Sequence, residues 1–244
     1  PSGGVGSGLR RFGASRASPL LAVAREGNVI QVWDTENKEE VVVVQHSSSI
    51  FGSIVLSADG STLATSLRDG LHLWDSRSGV EKVHLPGYVH AIEFGPNSDV
   101  MAYSMGSDVT LFDTVEKAAL AELSGHQGRV DALAISPDGT LLACGSDQQV
   151  VVWDIDEQKR TLELRAHETS VSWLEFAPDG KKLLTRGDSW SPVRVWRLAD
   201  GELVSAIANV GPGGGDRSCG LSADGRTLVS TTRASQLALW DVSE

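Results

Sequence analysis

The sequence predicts an all-β fold built from six tandem units, and three features of the chain support this prediction. A ten-residue pattern occurs five times with apolar fourth and sixth residues, which is the alternation of a half-buried β-strand. Four of the five copies close in Asp-Gly, a pair typical of tight hairpin turns. An aromatic residue followed by a charged one ends each of the six units at a nearly constant spacing.

The ten-residue pattern marks the first strand of units two to six. Its copies occupy residues 51–60, 89–98, 130–139, 171–180 and 216–225. Their apolar pairs are Ile54 and Leu56, Ile92 and Phe94, Leu133 and Ile135, Leu174 and Phe176, and Cys219 and Leu221. The first unit lacks the Asp-Gly turn and is recognisable mainly from Leu20 onward. We expect a strand and a hairpin at each copy.

The aromatic residues that end the units give the repeat length. They are Trp33, Trp74, Phe112, Trp153, Trp196 and Trp240, spaced 41, 38, 41, 43 and 44 residues apart. A period of this size with several short strands per unit is typical of β-propeller blades. Helical repeats of similar length are not favoured, because no unit carries the apolar spacing of an amphipathic helix.

These units resemble WD repeats. The fourth unit shows the similarity best: Gly125-His126 at its start, a Ser-Pro-Asp-Gly hairpin at 136–139, a Gly-Ser-Asp turn at 145–147 and Trp153-Asp154 at its end. The resemblance covers residues from about Leu9 to Asp241. The amino-acid sequence of the repeats is similar to that of bacterial WD-repeat proteins. It implies a β-propeller of six recognisable four-stranded blades around a central channel.

The expected blade boundaries leave both ends of the chain irregular. Residues 1–8, rich in glycine and serine, are predicted to form a flexible N-terminal segment. The blades are expected at about 9–45, 46–85, 86–123, 124–164, 165–207 and 208–244. Because the chain stops four residues after Trp240, the last blade should lack its outer strand. We expect the sequence to be part of a longer protein, and an open blade edge to allow self-association.

Two sets of polar residues match the internal hydrogen-bond network of a WD blade. The resemblance implies that His126, Asp147 and Trp153 have this structural role in the fourth blade. His167, Asp188 and Trp196 are the corresponding set in the fifth blade. A buried polar group is tolerated where its partners are present. This interpretation accounts for these histidines and aspartates without catalysis.

Composition restricts the expected partners and compartment. The 244 residues carry a formal net charge of −11, which would repel the phosphates of nucleic acid. The two cysteines, Cys144 and Cys219, show no short paired spacing, which suits a reducing compartment. The longest apolar runs are too short to span a membrane. We predict a cytoplasmic protein with neither nucleic-acid nor membrane partners.

No stretch of the sequence predicts a catalytic, metal or cofactor site. No second histidine or cysteine lies at ligand spacing from His126. The glycine-rich stretch 211–218 has Asp216 and Arg217 where a phosphate loop has glycine and lysine. We therefore predict no cofactor, no metal ligands and no catalytic residues.

The resemblance implies that the loops at one end of the blades, the top face, hold a protein or peptide partner. Trp190 is notable because it lies in a lengthened turn, where an aromatic side chain either binds a partner or packs on the blade edge. The predicted contact residues are Arg68, His90, Ser107, Asp131, Ser172, Trp190 and Arg217.

These observations favour a noncatalytic scaffold that binds a protein or peptide and belongs to a larger regulatory protein. One alternative is a structural module that assembles through its unfinished blade. A propeller hydrolase is less favoured, because Asp131 is the only acid at the second position of a regular pattern copy.

Overall fold

A computed structural model describes residues 11–46, 50–188, 191–208, 219–231 and 237–242 of the chain. These residues form six β-sheets, each made of consecutive strands; five sheets have four strands and the sixth has three. We number the sheets as blades 1 to 6 in chain order. The predicted fold class is confirmed: the described chain is all-β, with six propeller blades of which the last is three-stranded.

The strands of the six blades have the following bounds. Blade 1 contains β1 (Arg11–Ala14), β2 (Leu20–Arg25), β3 (Val29–Asp34) and β4 (Glu39–Gln45). Blade 2 contains β5 (Ile50–Leu56), β6 (Thr62–Leu67), β7 (Gly70–Asp75) and β8 (Glu81–Pro86). Blade 3 contains β9 (Ile92–Phe94), β10 (Val100–Met105), β11 (Asp108–Asp113) and β12 (Ala118–Leu123).

The remaining strands complete the second half of the chain. Blade 4 contains β13 (Val130–Ile135), β14 (Leu141–Ser146), β15 (Gln149–Asp154) and β16 (Lys159–Arg165). Blade 5 contains β17 (Val171–Phe176), β18 (Lys182–Gly187), β19 (Val193–Arg197) and β20 (Leu203–Ile207). Blade 6 contains β21 (Cys219–Leu221), β22 (Thr227–Thr231) and β23 (Leu237–Asp241).

The chain divides into two compact units. The first consists of residues 1–106 and 110–120 and holds blades 1 and 2 and most of blade 3. The second consists of residues 107–109 and 121–244 and holds blades 4 to 6.

Within each unit, consecutive blades bury apolar faces against each other. In the second unit, Val150 and Val152 of blade 4 lie in one cluster with Leu174, Phe176 and Trp196 of blade 5. The first unit repeats this arrangement between blades 1 and 2 and between blades 2 and 3. The third strand of one blade therefore packs against the aromatic residue that ends the next. This packing removes apolar surface from water at about 25 cal/mol per Å².

The recurring Ser-x-Asp-Gly turns are held by the aspartate. In blade 4, Asp138 Oδ1 accepts hydrogen bonds from Ser136 Oγ (2.6 Å), Thr140 N (3.0 Å) and Thr140 Oγ1 (2.9 Å). Ser136 Oγ in turn accepts a bond from Leu141 N at 2.9 Å. Gly139 follows with a φ of 79°, a conformation that favours glycine. The motif therefore encodes a hydrogen-bonded hairpin.

These turns should make folding stability sensitive to acid. The hydrogen bonds from Ser136 and Thr140 hold the pKa of Asp138 below its ordinary value, and the pKa of Asp59 in blade 2 is lowered to about 2. Since the folded pKa is depressed, the stabilisation is present above the unfolded pKa of about 3.9 and is lost as the pH falls through the folded pKa. Asp138→Asn should weaken the dependence of the unfolding free energy on pH below about 4.

Urea titrations between neutral and acidic pH test this expectation. The matched variant Ser136→Ala removes the buried donor and should cost about 1 kcal/mol at neutral pH. An acid dependence that neither variant changes would contradict the role given to the turn.

Candidate partner-binding site

The histidine of blade 4 connects its blade to the preceding turn. Trp153 Nε1 donates to His126 Nε2 at 3.3 Å, and His126 Nδ1 donates to the carbonyl of Ser107 at 2.9 Å. Burial lowers the pKa of His126, so the ring is neutral at pH 7. Asp147, predicted to join this network, is exposed on the β14–β15 turn with a φ of 46°. The structure therefore brings His126 and Trp153 together and places Asp147 at the surface.

In blade 5 the hydroxyl of Thr185 joins the tryptophan to the histidine, whereas blade 4 has no hydroxyl at the corresponding position. Thr185 Oγ1 accepts from Trp196 Nε1 at 2.9 Å and lies 2.8 Å from His167 Nε2. Burial lowers the pKa of His167 to about 4, so this ring is also neutral. The corresponding position of β14 in blade 4 is Cys144, and there the indole bonds to histidine directly. Asp188, like Asp147, is exposed.

The two exposed aspartates line one groove of the second unit. Backbone hydrogen bonds fix both aspartates next to the start of β17. Val171 N donates to Asp147 O at 2.6 Å, and Asp188 N donates to Ser170 O at 2.7 Å. The groove has a volume of about 710 Å³, and we call it the polar cleft. Its lining consists of Gln127, Asp147, Gln148, Gln149, Arg165, Thr169, Ser170 and Asp188.

Gly128 leaves room for the Asp147 carboxylate at the rim of the polar cleft. A Cβ at Gly128 would lie only 2.1 Å from Asp147 Oδ2, so any other residue at this position would displace the Asp147 carboxylate. The backbone N of Gly128 donates to Ser146 Oγ at 3.2 Å, which holds the loop before β13 against β14. The absence of a side chain at position 128 thus sets the place of the Asp147 carboxylate.

Three carboxylates act on one guanidinium beside this cleft. Arg129 binds Asp131 through two contacts, Nε to Oδ1 at 2.7 Å and Nη2 to Oδ2 at 3.0 Å. This pairing raises the pKa of Arg129, and the charges of Asp188 and Asp147 raise it further. Since the paired Asp131 already compensates the Arg129 charge, Asp147 and Asp188 add negative charge to an open surface.

The other predicted contact residues lie apart from this group or outside the described residues. Ser172 is half-buried at the edge of blade 5, where its Oγ donates to Gly187 O at 3.1 Å. Arg68 is exposed on the β6–β7 turn, and His90 is half-buried before β9; both belong to the first unit. Trp190 and Arg217 lie outside the described residues. The structure thus brings Asp131 together with Asp147 and Asp188.

Arg129 and Arg165 were not among the residues predicted from sequence. A signal for Arg129 was present, because it lies two residues before Asp131 and can therefore reach the same side of the strand. Arg165 carries no such local signal, since it lies in the cleft only after blade 4 has folded.

Comparisons with known proteins support the repeat assignment. The family described as WD domain, G-beta repeat, matches residues 117–154. The chain is 29% identical over 117 residues to the small ribosomal subunit protein RACK1 of Caenorhabditis elegans, covering 46% of this chain and 36% of that protein. It is 26% identical over 114 residues to pre-mRNA-processing factor 19 homolog 2 of Arabidopsis thaliana, covering 43% of this chain and 22% of that protein.

The matched segments span well under half of either relative, so they support the repeat rather than a shared activity. Across the described residues, no helix has the length and apolar character needed to cross a bilayer. Six sheets at the repeat period, the family match on blade 4 and these two relatives agree. The chain is similar to WD-repeat proteins, and its described residues form β-propeller blades.

Proposed function

We propose that this protein is a noncatalytic scaffold whose polar cleft binds an extended segment of a partner protein. The observation that supports it is an open groove of about 710 Å³ with two exposed carboxylates, Asp147 and Asp188, beside a third that is already paired. The relatives are named as a ribosomal subunit protein and a pre-mRNA-processing factor, which is compatible with a role in assemblies. We place this role in the cytoplasm, within a larger regulatory protein.

The charge around the cleft, where Asp147 and Asp188 outnumber the one lining cation Arg165, indicates a basic partner segment. Asp147 and Asp188 offer carboxylates to a lysine or arginine side chain, while Gln127, Gln148 and Ser170 offer hydrogen bonds to a peptide backbone. The net charge of −11 adds a long-range attraction for such a segment. Charge complementarity of this kind raises the association rate and gives specificity more than it adds affinity.

Selection of peptides on the immobilised full chain tests this proposal. Phage-displayed random peptides should be enriched in lysine and arginine, and the affinity of a selected peptide should fall with added salt. Changing both Asp147→Asn and Asp188→Asn should weaken binding of that peptide by about 2- to 30-fold, since each exposed ion pair contributes about 0.2–1 kcal/mol. Fluorescence anisotropy measures the loss.

A matched control makes the same charge change elsewhere on blade 4. Asp156→Asn with Glu163→Gln alters two exposed residues that do not line the cleft, and peptide affinity should stay unchanged. Selection of acidic or uncharged peptides, or equal weakening by both double variants, would refute the cleft as the binding surface.

Self-assembly is a second candidate function, and one observation favours it. Blade 6 exposes Leu237 and Leu239, at 78% and 72% of their surface. Apolar side chains exposed side by side on one strand are often covered by another chain. Sedimentation velocity over a range of concentrations separates this candidate from a monomeric scaffold.

A hydrolase receives less support from the geometry. Asp131 is the acid on which that alternative depended, and both its carboxylate oxygens bind Arg129. A carboxylate whose two oxygens both bind a guanidinium is poorly placed to take a proton from a substrate. The arrangement therefore suits recognition better than proton transfer.

A further inference from the structure

A compact group of metal-ligand side chains lies in blade 2, away from the polar cleft. Asp69, His72 and His84 each offer one ligand atom, and these atoms all lie within 4.8 Å of one another. His72 is on β7 and His84 on β8, where they are direct cross-strand partners, and Asp69 is in the β6–β7 turn. His72 is buried, whereas Asp69 and His84 are exposed and accessible to an ion from solvent.

The protonation of His72 can be assigned from its neighbours. Its Nδ1 lies 2.7 Å from Glu81 Oε1, and since a carboxylate only accepts, Nδ1 carries the proton and donates. In a neutral ring Nε2 then holds a lone pair, and it lies 3.3 Å from Asp69 Oδ1. Two electron-rich atoms at this distance are stable only with a positive centre between them, which is either a proton or a metal ion.

The spacing of these two atoms suits a tetrahedral metal ion. Zinc bonds of about 2.0–2.1 Å to nitrogen and oxygen, at tetrahedral angles, place neighbouring ligand atoms about 3.3 Å apart. That is the distance from His72 Nε2 to Asp69 Oδ1. His84 Nε2 lies 3.3 Å from the carbonyl of Asp69, a hydrogen bond that it would exchange for the metal.

The surroundings of His72 hold its ring in a ligand orientation. Glu81 accepts from the nitrogen that would not bind metal, an arrangement that fixes the tautomer and makes the other nitrogen a better ligand. The ring also stacks on Trp74, with centroids 5.5 Å apart. His84 lies nearly parallel to it, with centroids 4.1 Å apart and ring planes 13° apart, so the exposed His84 must rotate out of this stack before its Nε2 lone pair can point to the same ion. Gly70 leaves room for His84, because a Cβ there would lie 3.0 Å from His84 Nε2.

We propose that Asp69, His72 and His84 form a binding site for a divalent transition-metal ion, with zinc as the best match. Glu81 is a positioning residue that orients His72 and does not contact the ion. Two imidazoles and one carboxylate are a ligand set that zinc accepts, with the fourth position left to water or to a partner. A bound ion would tie the β6–β7 turn to the β7–β8 hairpin.

Titration of the untagged full chain with zinc chloride alone tests the site. Isothermal calorimetry should show one ion per chain at neutral pH, and uptake should weaken as the pH falls, because histidine must be deprotonated to bind. Cobalt substitution should give the visible absorption of a tetrahedral site. Failure to bind one equivalent of zinc would overturn the proposal.

Variants at the exposed positions avoid disturbing the buried ring. Asp69→Asn and His84→Gln should each lower zinc affinity by at least about 10-fold, and Glu81→Gln by about 10- to 100-fold through the lost orientation of His72. Asp99→Asn is the matched control, an exposed aspartate of the same unit outside the site, and should bind zinc like the unmodified chain. Circular dichroism confirms that each variant is folded. Unchanged affinity in Asp69→Asn and His84→Gln would overturn the proposal.

Discussion

Replacing Trp196 with alanine should lower the free energy of unfolding by about 3–5 kcal/mol, the usual cost of removing a buried tryptophan. The side chain is only 8% exposed and packs against blade 4 in the cluster that contains Val150, Val152 and Leu183. Its indole N–H also donates to Thr185 Oγ1 at 2.9 Å. The substitution therefore removes packing on two blades and leaves the Thr185–His167 pair without its third member.

Trp240→Ala is the matched control for this prediction. Trp240 has the same position in blade 6 and donates to Ser230 Oγ at 3.0 Å, but its side chain is only partly buried. Its loss should cost clearly less than the loss of Trp196. Chemical denaturation followed by far-ultraviolet circular dichroism measures both free energies. Equal costs at the two positions would show that burial against the preceding blade does not determine the contribution of these tryptophans.

The strands and their grouping into blades were predictable because both depend on local pattern. Each ten-residue copy contains the first strand of its blade, except that β5 begins one residue before its copy, and each terminal aromatic residue lies in the third strand. The strand β1 had no such signal, since Arg11–Ala14 is short and its Arg-Phe-Gly-Ala sequence shows no alternation of apolar residues. Its pairing with β2 is a property of the folded sheet.

The candidate sites were less predictable because they depend on register between strands. His72 and His84 are twelve positions apart in sequence, so neither falls at a short ligand spacing, yet the β7–β8 pairing places them opposite each other. The network of blade 4 shows the same limit. Asp147 matched the sequence pattern of the network. In the structure it lies on an exposed turn, and its side chain lines the polar cleft. The hydrogen bond from Trp153 to His126, in contrast, lies inside the blade. Its structural role, like that of Asp188, stays a prediction.

The exposed face of blade 6 could not be predicted from sequence either. Leu237 and Leu239 continue the same apolar alternation as the third strands of the other blades. Their counterparts three residues before the terminal aromatic residue are all 0% exposed: Ile30, Leu71, Val109, Val150 and Val193. The counterparts one residue before it are at most 2% exposed: Val32, Leu73, Leu111, Val152 and Val195. Pattern alone therefore does not tell a covered face from an open one.

The same substitution at two equivalent positions should have very different costs. Leu73→Ala should destabilise the protein by about 2–5 kcal/mol, because Leu73 is 1% exposed in the cluster shared by blades 2 and 3. Leu239→Ala should change stability by no more than about 0.5 kcal/mol, because 72% of that side chain is already in water. Urea unfolding at low protein concentration measures both.

The outcome for Leu239 also decides between the two candidate functions. If Leu239→Ala proves as costly as Leu73→Ala, the face of blade 6 is covered in solution, and the small cost expected for Leu239 is refuted. A cost that grows with protein concentration would identify a second copy as the cover, since only association makes stability depend on concentration. A small cost at every concentration leaves the apolar face open, and the polar cleft then remains the surface that best accounts for a scaffold function.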